Sequence, residues 1–259
     1  MAHTATAHTV KGADQYDDPS YNYLRYWDGR DYEHAAEEMA IRRLLHGKHF
    51  GVAMDVGGGY GRLCLLLEKY ADNVILAEPS QQQLDLSEEF LKGHKEVKRL
   101  LAQANDLQKP DGSVDLVTLV RVMHHLPDPS AELAEIARVL SPDGYAIIEM
   151  ANYAHMRNRI KHLLRGKQLP LKPVDIRSTK NRTSGEVAFV NHNPHTVVRQ
   201  LEHAGLYVER TLSVSNLRSQ KLKRLLPHRA MVGIERALQA PLAALYFGPS
   251  IFFLVRKAR

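Results

Sequence analysis

The chain has 259 residues, of which 44% are apolar and 25% are charged, a composition typical of globular domains and not of disordered or fibrous proteins. No run of about 18 apolar residues occurs, which argues against a transmembrane helix, and the single cysteine, Cys64, excludes an internal disulfide. The net charge of +6 is unevenly divided, because residues 1–150 carry 15 basic and 24 acidic side chains whereas residues 151–259 carry 20 and 5. We therefore expect a cytoplasmic protein with a basic C-terminal half.

The chain before the first strand is predicted to contain a tail, an aromatic segment and a helix. Residues 1–15 lack the basic start and apolar centre of a secretory signal and predict a disordered tail. Apolar residues recur at helical spacing over 33–46, and Gly47 favours the end of that helix. Between them, the aromatic segment either forms a lid over a pocket, together with residues 152–190, or packs against the helix. Its aromatic candidates are Tyr21, Tyr23, Tyr26 and Trp27.

Residues 50–150 alternate between apolar strand patterns and amphipathic helix patterns. The predicted strands are 51–56, 73–78, 97–102, 114–120 and 145–150. The predicted helices and turn are 60–70, 80–92, 129–140 and a Ser-Pro-Asp-Gly turn at 141–144. Such alternation is typical of a mostly parallel α/β sheet with helices on both faces.

The pattern is looser after residue 150. A basic insertion is predicted over 151–192, and residues 193–259 are expected to supply the last strands of a single domain that spans 16–259. Their predicted elements are a helix over 194–204, strands at 206–214 and 250–255, and inserted helices over 216–247. Two strands separated by a long connection favour an antiparallel hairpin that closes the sheet.

A glycine-rich loop follows the first predicted strand. Residues 52–62 read Val-Ala-Met-Asp-Val-Gly-Gly-Gly-Tyr-Gly-Arg, so an apolar run ends on Asp55 before the turn and a helix. Glycine lets a ligand touch the backbone, and the N–H groups of a helix N-terminus favour negative charge. A nicotinamide-binding loop has a third glycine where Arg62 stands, and the carboxylate of Asp55 suits a cationic amino acid better than a pyrophosphate. S-Adenosylmethionine offers an ammonium, a carboxylate, a sulfonium and an adenosine.

Glu78 ends the second predicted strand, 23 residues after Asp55. An acid at that place accepts hydrogen bonds from both ribose hydroxyls of an adenosine. The alternative is a solvent-exposed acid before the helix start at Pro79-Ser80. The pairing of Glu78 with the glycine loop favours ribose binding.

A further block follows the fourth predicted strand and reads Arg121-Val122-Met123-His124-His125-Leu126-Pro127-Asp128-Pro129, with an amphipathic run to Leu140. Together with the glycine loop, this block resembles the class I S-adenosylmethionine-dependent methyltransferases, close to the branch of the ubiquinone and menaquinone methyltransferases. The resemblance covers about residues 50–150. It implies a Rossmann-like seven-stranded sheet in the order 3-2-1-4-5-7-6 with strand seven antiparallel, and S-adenosylmethionine as the cofactor.

The resemblance also implies which residues bind the cofactor. Asp55, the glycine loop and Arg62 would hold the methionine end, and Glu78 the ribose. Gln103 stands where the family usually has an aspartate for the adenine amino group; its amide can accept and donate, and Asn105 or Asp106 are alternatives. The expected cofactor-binding residues are Asp55, Gly57, Gly58, Gly59, Gly61, Arg62, Glu78, Pro79, Gln103, Ala104, Asn105 and Arg121.

His124 and His125 are the catalytic candidates, because a histidine with a near-neutral pKa can deprotonate a hydroxyl acceptor. The alternative is that the pair lines the cofactor pocket or packs the loop. The remaining histidines show no metal-ligand spacing, and the sequence from His192 to His195 favours a helix start over a ligand pair. No metal is expected.

The expected function is methyl transfer to a small-molecule or lipid-like acceptor. Three alternatives are an RNA methyltransferase that uses the basic half, a non-catalytic partner protein that binds S-adenosylmethionine, and a nicotinamide-dependent enzyme. No recognised RNA-binding motif is present, which disfavours nucleic acid. The basic and apolar residues of 216–247 favour either peripheral contact with an anionic membrane or a helical cap packed on the sheet. The oligomeric state stays open.

Overall fold

A computed structural model describes residues 27, 29–183 and 187–258 of the protein. The predicted tail and the lid candidates Tyr21, Tyr23 and Tyr26 lie outside these residues. The strands are β1 (Phe50–Val56), β2 (Ala71–Glu78), β3 (Val97–Leu101), β4 (Val114–Leu119), β5 (Leu140–Ala151), β6 (Val174–Asp175), β7 (Val190–Asn191), β8 (Leu206–Val214) and β9 (Ser250–Lys257). The α-helices are α1 (Asp31–Leu44), α2 (Cys64–Leu67), α3 (Gln81–Phe90), α4 (Ser130–Val139), α5 (Met156–Leu163), α6 (Thr179–Thr183), α7 (Pro194–His203), α8 (Gln220–Leu225) and α9 (His228–Leu238).

Seven strands form one sheet in the order β3-β2-β1-β4-β5-β9-β8. Strand β9 pairs antiparallel with both β5 and β8, whereas the pairs from β3 to β5 are parallel. Counted along the sheet, this is the predicted order 3-2-1-4-5-7-6 with strand seven antiparallel, and that prediction is confirmed. The strand order reverses between β1 and β4, and the crevice at the carboxyl ends of such strands is where α/β sheets bind ligands.

The two faces of the sheet carry separate apolar cores, because successive strand residues point to opposite sides. Met54 belongs to the core that α4 and α7 cover, and Ala53 belongs to the core that α1, α2 and α3 cover. Cys64 is fully buried in the second core. The predicted strand alternation therefore positions both helix layers and leaves the carboxyl edge of the sheet for polar residues.

Two local predictions within the core are wrong. The helix after the glycine loop spans only Cys64–Leu67 instead of 60–70. Gly61 has a left-handed φ of +89°, and the turns on either side of it are closed by hydrogen bonds between residues i and i+3 instead of the α-helical i and i+4. The Ser-Pro-Asp-Gly segment at 141–144 lies inside β5 as an irregularity. Val114 of β4 pairs with Leu140 and Leu116 pairs with Tyr145, so the segment between these two pairs has no partner in β4. Asp143 takes the left-handed φ of +66° that this bulge needs.

The C-terminal region supplies the predicted helices as α8, α9 and a 3₁₀ turn at Ala243–Leu245. Helix α9 packs on α1, and Tyr32 of α1 donates a 2.6 Å hydrogen bond to Glu235 of α9. The insertion between β5 and α7 contains α5, α6 and the small β6–β7 hairpin, which the irregular sequence pattern did not reveal. In the part of the chain that the structure describes, no helix has both the length and the apolar character needed to cross a bilayer.

Candidate active site

Asp55 lies near the carboxyl end of β1, directly opposite Thr118 of β4. The Thr118 hydroxyl donates a 2.6 Å hydrogen bond to Asp55 Oδ1. The other oxygen, Oδ2, is buried and has no hydrogen-bond partner among the described residues. Burial raises the pKa of Asp55 to about 6, and the Thr118 hydrogen bond and the charge of Arg62 oppose this rise. A buried carboxylate oxygen without a donor points to a ligand that carries one.

The glycine loop leaves no room for side chains next to Asp55. Gly57, Gly59 and Gly61 have left-handed φ values of +65°, +60° and +89°, which favour glycine. A Cβ at Gly58 would overlap Asp55 Oδ2, and a Cβ at Gly57 would lie 2.5 Å from a side-chain methyl of Val122. The loop backbone therefore forms the wall beside the Asp55 carboxyl, as the sequence predicts.

Glu78 ends β2 and holds the glycine loop. Its Oε2 accepts a 2.8 Å hydrogen bond from the Gly59 backbone N–H, and its Oε1 accepts one of 3.0 Å from Ser80. The carboxylate is only 4% exposed, so the alternative of a solvent-exposed acid before the helix is wrong. Pro79, beside it, is exposed.

The predicted adenine residues lie beyond the end of β3. Gln103 and Asn105 are exposed, and Ala104 is partly buried against the core. The backbone N–H of Asp106 donates a 3.0 Å hydrogen bond to the Gln103 carbonyl, which makes a tight turn of this segment. The turn stands next to Glu78, because β3 and β2 are paired neighbours with Glu78 opposite Leu101.

A buried ion cluster that the sequence analysis missed joins α1 to this edge of the sheet. Glu37 of α1 is 1% exposed and accepts hydrogen bonds from Arg62 Nη2 (2.9 Å) and Arg121 Nε (2.7 Å), with a second N–H of Arg121 on the same oxygen. Burial raises the pKa of Glu37, but the Arg121 and Arg62 guanidiniums outweigh it and hold the pKa below its usual value. The only sequence signal was an acid within the apolar face of the predicted helix.

Trp27 and His34 complete the surroundings of the two arginines. The guanidinium of Arg62 lies 4.0 Å from the centre of a Trp27 ring, and that of Arg121 lies 5.2 Å away. Arg62 Nη1 also donates to His34 Nδ1 at 2.5 Å. Both arginines were predicted to bind cofactor, and the structure places them at the expected edge of the sheet with Glu37 as their carboxylate.

Arg121 has a left-handed φ of +64°, an uncommon backbone conformation for a residue with a side chain. Its backbone N–H donates a 2.9 Å hydrogen bond to Glu149 at the end of β5, whose other oxygen accepts from the Ser250 hydroxyl at 2.6 Å. Burial raises the pKa of Glu149 although Arg121 and Ser250 oppose the rise. Unusual backbone conformations that surrounding contacts hold in place concentrate at functional sites.

The two histidines of the 123–125 turn differ in environment. His124 is buried, with its ring 4.1 Å from His125 and 4.5 Å from Phe189. Burial, with smaller contributions from neighbours that include Arg121, lowers its pKa well below the usual value. His125 is half-buried and donates from Nδ1 to the Ala188 carbonyl at 3.1 Å. His192 donates from Nε2 to the Met123 carbonyl at 2.9 Å. The end of the insertion therefore packs directly on this turn.

Asn193, which follows His192, is the N-cap residue of α7. Its side chain accepts a hydrogen bond from the His195 backbone N–H, which caps α7, and Pro194 occupies the first helical turn. The predicted helix start is therefore confirmed. Among the described residues, no group of three or more metal-ligating side chains is assembled.

Comparison with known proteins matches residues 54–148 to the family model of the methyltransferase domain. Residues 54–148 thus match a methyltransferase domain, which supports the resemblance of this segment to the class I S-adenosylmethionine-dependent methyltransferases. An uncharacterized methyltransferase of Schizosaccharomyces pombe is 36% identical over 126 residues, 45% of each chain. A demethylmenaquinone methyltransferase of Lactobacillus johnsonii is 36% identical over 98 residues, 36% of this chain and 40% of that protein. The chain thus spans less than half the length of these curated relatives.

The fold of the domain extends further than the sequence match. A S-adenosylmethionine-dependent methyltransferase from Thermotoga maritima superposes with a TM-score of 0.63 at 18% identity, covering 91% of this chain and 94% of that one. This likeness shows the fold alone. The matched segment contains Asp55, Glu78 and Arg121, whereas Glu37 and Glu149 lie outside it.

Proposed function

We propose that this protein transfers a methyl group from S-adenosylmethionine to a small-molecule or lipid-like acceptor. The observation that carries the proposal is the buried Asp55 Oδ2, which lacks a donor among the described residues and lies against the glycine loop. The ammonium of a bound methionine moiety would supply that donor. A pyrophosphate would instead bring negative charge to an already desolvated carboxylate, which disfavours a nicotinamide cofactor.

The other predicted residues fit the remaining parts of the cofactor. Glu78 already holds the Gly59 backbone at the tip of β2, so the same carboxylate can orient the loop and bind the ribose hydroxyls. The exposed amide of Gln103 stands beyond the neighbouring strand, where an adenine edge would need an acceptor and a donor. Arg62 would face the methionine carboxylate while Glu37 fixes its position.

Bound S-adenosylmethionine would supply an electrophilic methyl group on its sulfonium. The protein would align the acceptor with it and exclude water, tasks that suit the Trp27 ring over the arginines and the Phe189 ring over the histidine turn. For an acceptor that must lose a proton, His125 is the base we infer. Its Nδ1–H donates to the Ala188 carbonyl, which fixes the orientation of the ring in the turn.

The demethylmenaquinone methyltransferase among the relatives supports an apolar, lipid-like acceptor. The exposed apolar side chains of the insertion, among them Leu163 and Leu164, support the same class. No observation on the described residues favours RNA over a small molecule. The buried, unpaired Cys64 is consistent with the cytoplasmic location that we expect.

Two measurements test the proposal. Thermal unfolding with S-adenosylmethionine, S-adenosylhomocysteine or NAD should show a rise in Tm with the first two only, because a ligand that binds the folded state stabilises it. Incubation of fractionated cell extract with protein and isotopically labelled methyl donor should then label a lipid or small-molecule fraction. Gly58→Ala is the control for both measurements, because its Cβ would overlap Asp55 Oδ2. This variant should show neither the rise in Tm nor the methyl label. Equal stabilisation by NAD, or label confined to RNA, would contradict the proposal.

A further inference from the structure

The insertion exposes an unusual amount of apolar surface. Helix α5 buries none of its residues, and the side chains of Ile160, Leu163 and Leu164 are 50%, 79% and 81% exposed. Leu171 in the following loop is 55% exposed. We call residues 156–172 the insertion face. Exposed leucines grouped on one short segment mark an interaction surface.

The charged residues of the insertion face are all basic. Residues 156–172 contain no aspartate or glutamate and six basic residues, Arg157, Arg159, Lys161, Arg165, Lys167 and Lys172. Along α5, Met156, Ile160, Leu163 and Leu164 follow helical spacing, so they form one apolar stripe. By the same geometry, Arg157 and Lys161 lie on one side of the stripe and Arg159 lies on the other. An apolar stripe with basic flanks is the pattern of a helix that rests on an anionic membrane surface.

The insertion face adjoins the candidate active site. Asn193 Nδ2 donates a 3.0 Å hydrogen bond to the Pro170 carbonyl, and Thr196 Oγ1 donates one of 2.8 Å to that of Leu171. These contacts fix the loop after α5 to the start of α7. The segment immediately before α7 carries Phe189 and His192, which pack on the histidine turn.

We propose that the insertion face binds the surface of an anionic phospholipid bilayer and so places the candidate acceptor site at the membrane. That the acceptor itself comes from the bilayer rests on the proposed function; the surface contact does not. The leucines would enter the interface between headgroups and acyl chains, and the lysines and arginines would pair with lipid phosphates.

The C-terminal helices are the other membrane-contact candidate from the sequence, and they are tied to α1, although α8, like α5, buries none of its residues. Lys223 of α8 pairs with Glu33 of α1 at 2.7 Å, and α9 buries Met231 and Glu235. Leu225 of α8 is 77% exposed. A comparison of Leu225 with the leucines of α5 therefore separates the two surfaces.

The test is co-sedimentation of the full-length protein with vesicles of phosphatidylcholine alone or of phosphatidylcholine with phosphatidylglycerol. The protein should bind the anionic vesicles only, and high salt should release it. Leu163→Ser with Leu164→Ser should lower the partition coefficient at least tenfold. Each basic residue near an anionic surface raises partitioning about fivefold, so Arg157→Gln, Lys161→Gln and Arg165→Gln together should lower it about 100-fold at low salt.

Leu225→Ser is the control, because it makes one Leu→Ser change at a leucine that is 77% exposed, similar to Leu163 at 79%, and its binding should equal that of the unmodified protein. All substituted side chains are exposed, and thermal unfolding verifies that the variants fold. Failure of the unmodified protein to bind anionic vesicles, or unchanged binding of the Leu163/Leu164 variant, would overturn the inference. Loss of binding in Leu225→Ser would assign the contact to the C-terminal helices instead and overturn it too. Vesicle binding without a Tm response to S-adenosylhomocysteine would refute the proposed function and leave the membrane contact standing.

Discussion

Binding of S-adenosylhomocysteine at pH 6 should release about half a proton per protein molecule, and the proton should come from Asp55. The pKa of this buried carboxyl is raised to about 6, so about half of the ligand-free molecules are protonated there at pH 6. S-Adenosylhomocysteine carries the same ammonium as the methyl donor. A cation beside a carboxylate lowers its pKa by about 1–3 units, so Asp55 would be ionised in the complex.

The free energy of ionising Asp55 in the folded protein follows from the same pKa. A rise from 3.8 to about 6, at about 1.4 kcal/mol per unit, means that ionisation of Asp55 costs the folded protein about 3 kcal/mol. Because the folded pKa lies above the unfolded one, the contribution of Asp55 to stability is fully present below pH 4 and is lost as the pH rises through 6. Affinity for S-adenosylhomocysteine should increase over the same window, since only the ionised carboxylate pairs with the ammonium.

Isothermal titration calorimetry in two buffers with different ionisation enthalpies counts the released protons. Thr118→Val removes the hydrogen bond that stabilises the ionised form, so its proton release should extend to higher pH. Asp55→Asn cannot titrate and should release no proton; where its binding is too weak to measure, its unfolding free energy should lack the decline between pH 4 and 6. Absence of proton release by the unmodified protein at pH 6, or equal release by Asp55→Asn, would refute the reasoning.

Three further outcomes are expected. Gly58→Ala should abolish the Tm rise with S-adenosylhomocysteine, because its Cβ would lie 2.4 Å from Asp55 Oδ2 and 2.5 Å from Leu76 Cδ1 and would displace the Asp55 carboxyl; an unchanged rise would place the ligand elsewhere. Glu37→Gln should lower the unfolding free energy in urea by about 3 kcal/mol, since it leaves two largely buried guanidiniums without a carboxylate. The pKa of Glu37 is lowered, so its contribution is present above the unfolded pKa and is lost as the pH falls through the folded one; a difference that persists in acid would contradict this. Trp27 fluorescence should change on ligand binding, because its ring stacks on Arg62, and an unchanged spectrum would remove Trp27 from the site.

The strands of the sheet were predictable because each is marked locally by its apolar pattern, and their order was implied by the resemblance of residues 50–150 to the methyltransferase family. Apolar runs separated by amphipathic helices define βα units, and parallel βα units allow few arrangements. Local hydrogen bonding was less predictable. The helix after the glycine loop shrinks to Cys64–Leu67 because left-handed Gly61 interrupts it. The predicted turn at 141–144 is a bulge within β5, since pairing with β4 continues on both sides of it.

Some residues of the candidate site were also predictable from local patterns, and others were not. Asp55 and Glu78 were predictable because each stands at the tip of a strand whose pattern is clear, and tips of parallel strands meet at one edge. Glu37 and Arg121 are 84 residues apart in sequence, and no periodicity connects them. Their pairing depends on how α1 packs across the edge of the sheet, which is a tertiary outcome.

The packing of α1 supplies a part of the site that the matched methyltransferase segment lacks. Residues 54–148 contribute the glycine loop and both arginines, but the carboxylate between the arginines comes from α1 and the one that holds the Arg121 backbone comes from Glu149. Without α1, Arg62 would remain charged beside Asp55 but would lack the carboxylate of Glu37 that now pairs with it. The N-terminal helix therefore sets the electrostatics of the site, and a fragment limited to the matched segment should be both less stable and altered in the pKa of Asp55. Parts outside the shared core are also where such folds vary in substrate, so α1 and the insertion are the places to look for acceptor specificity.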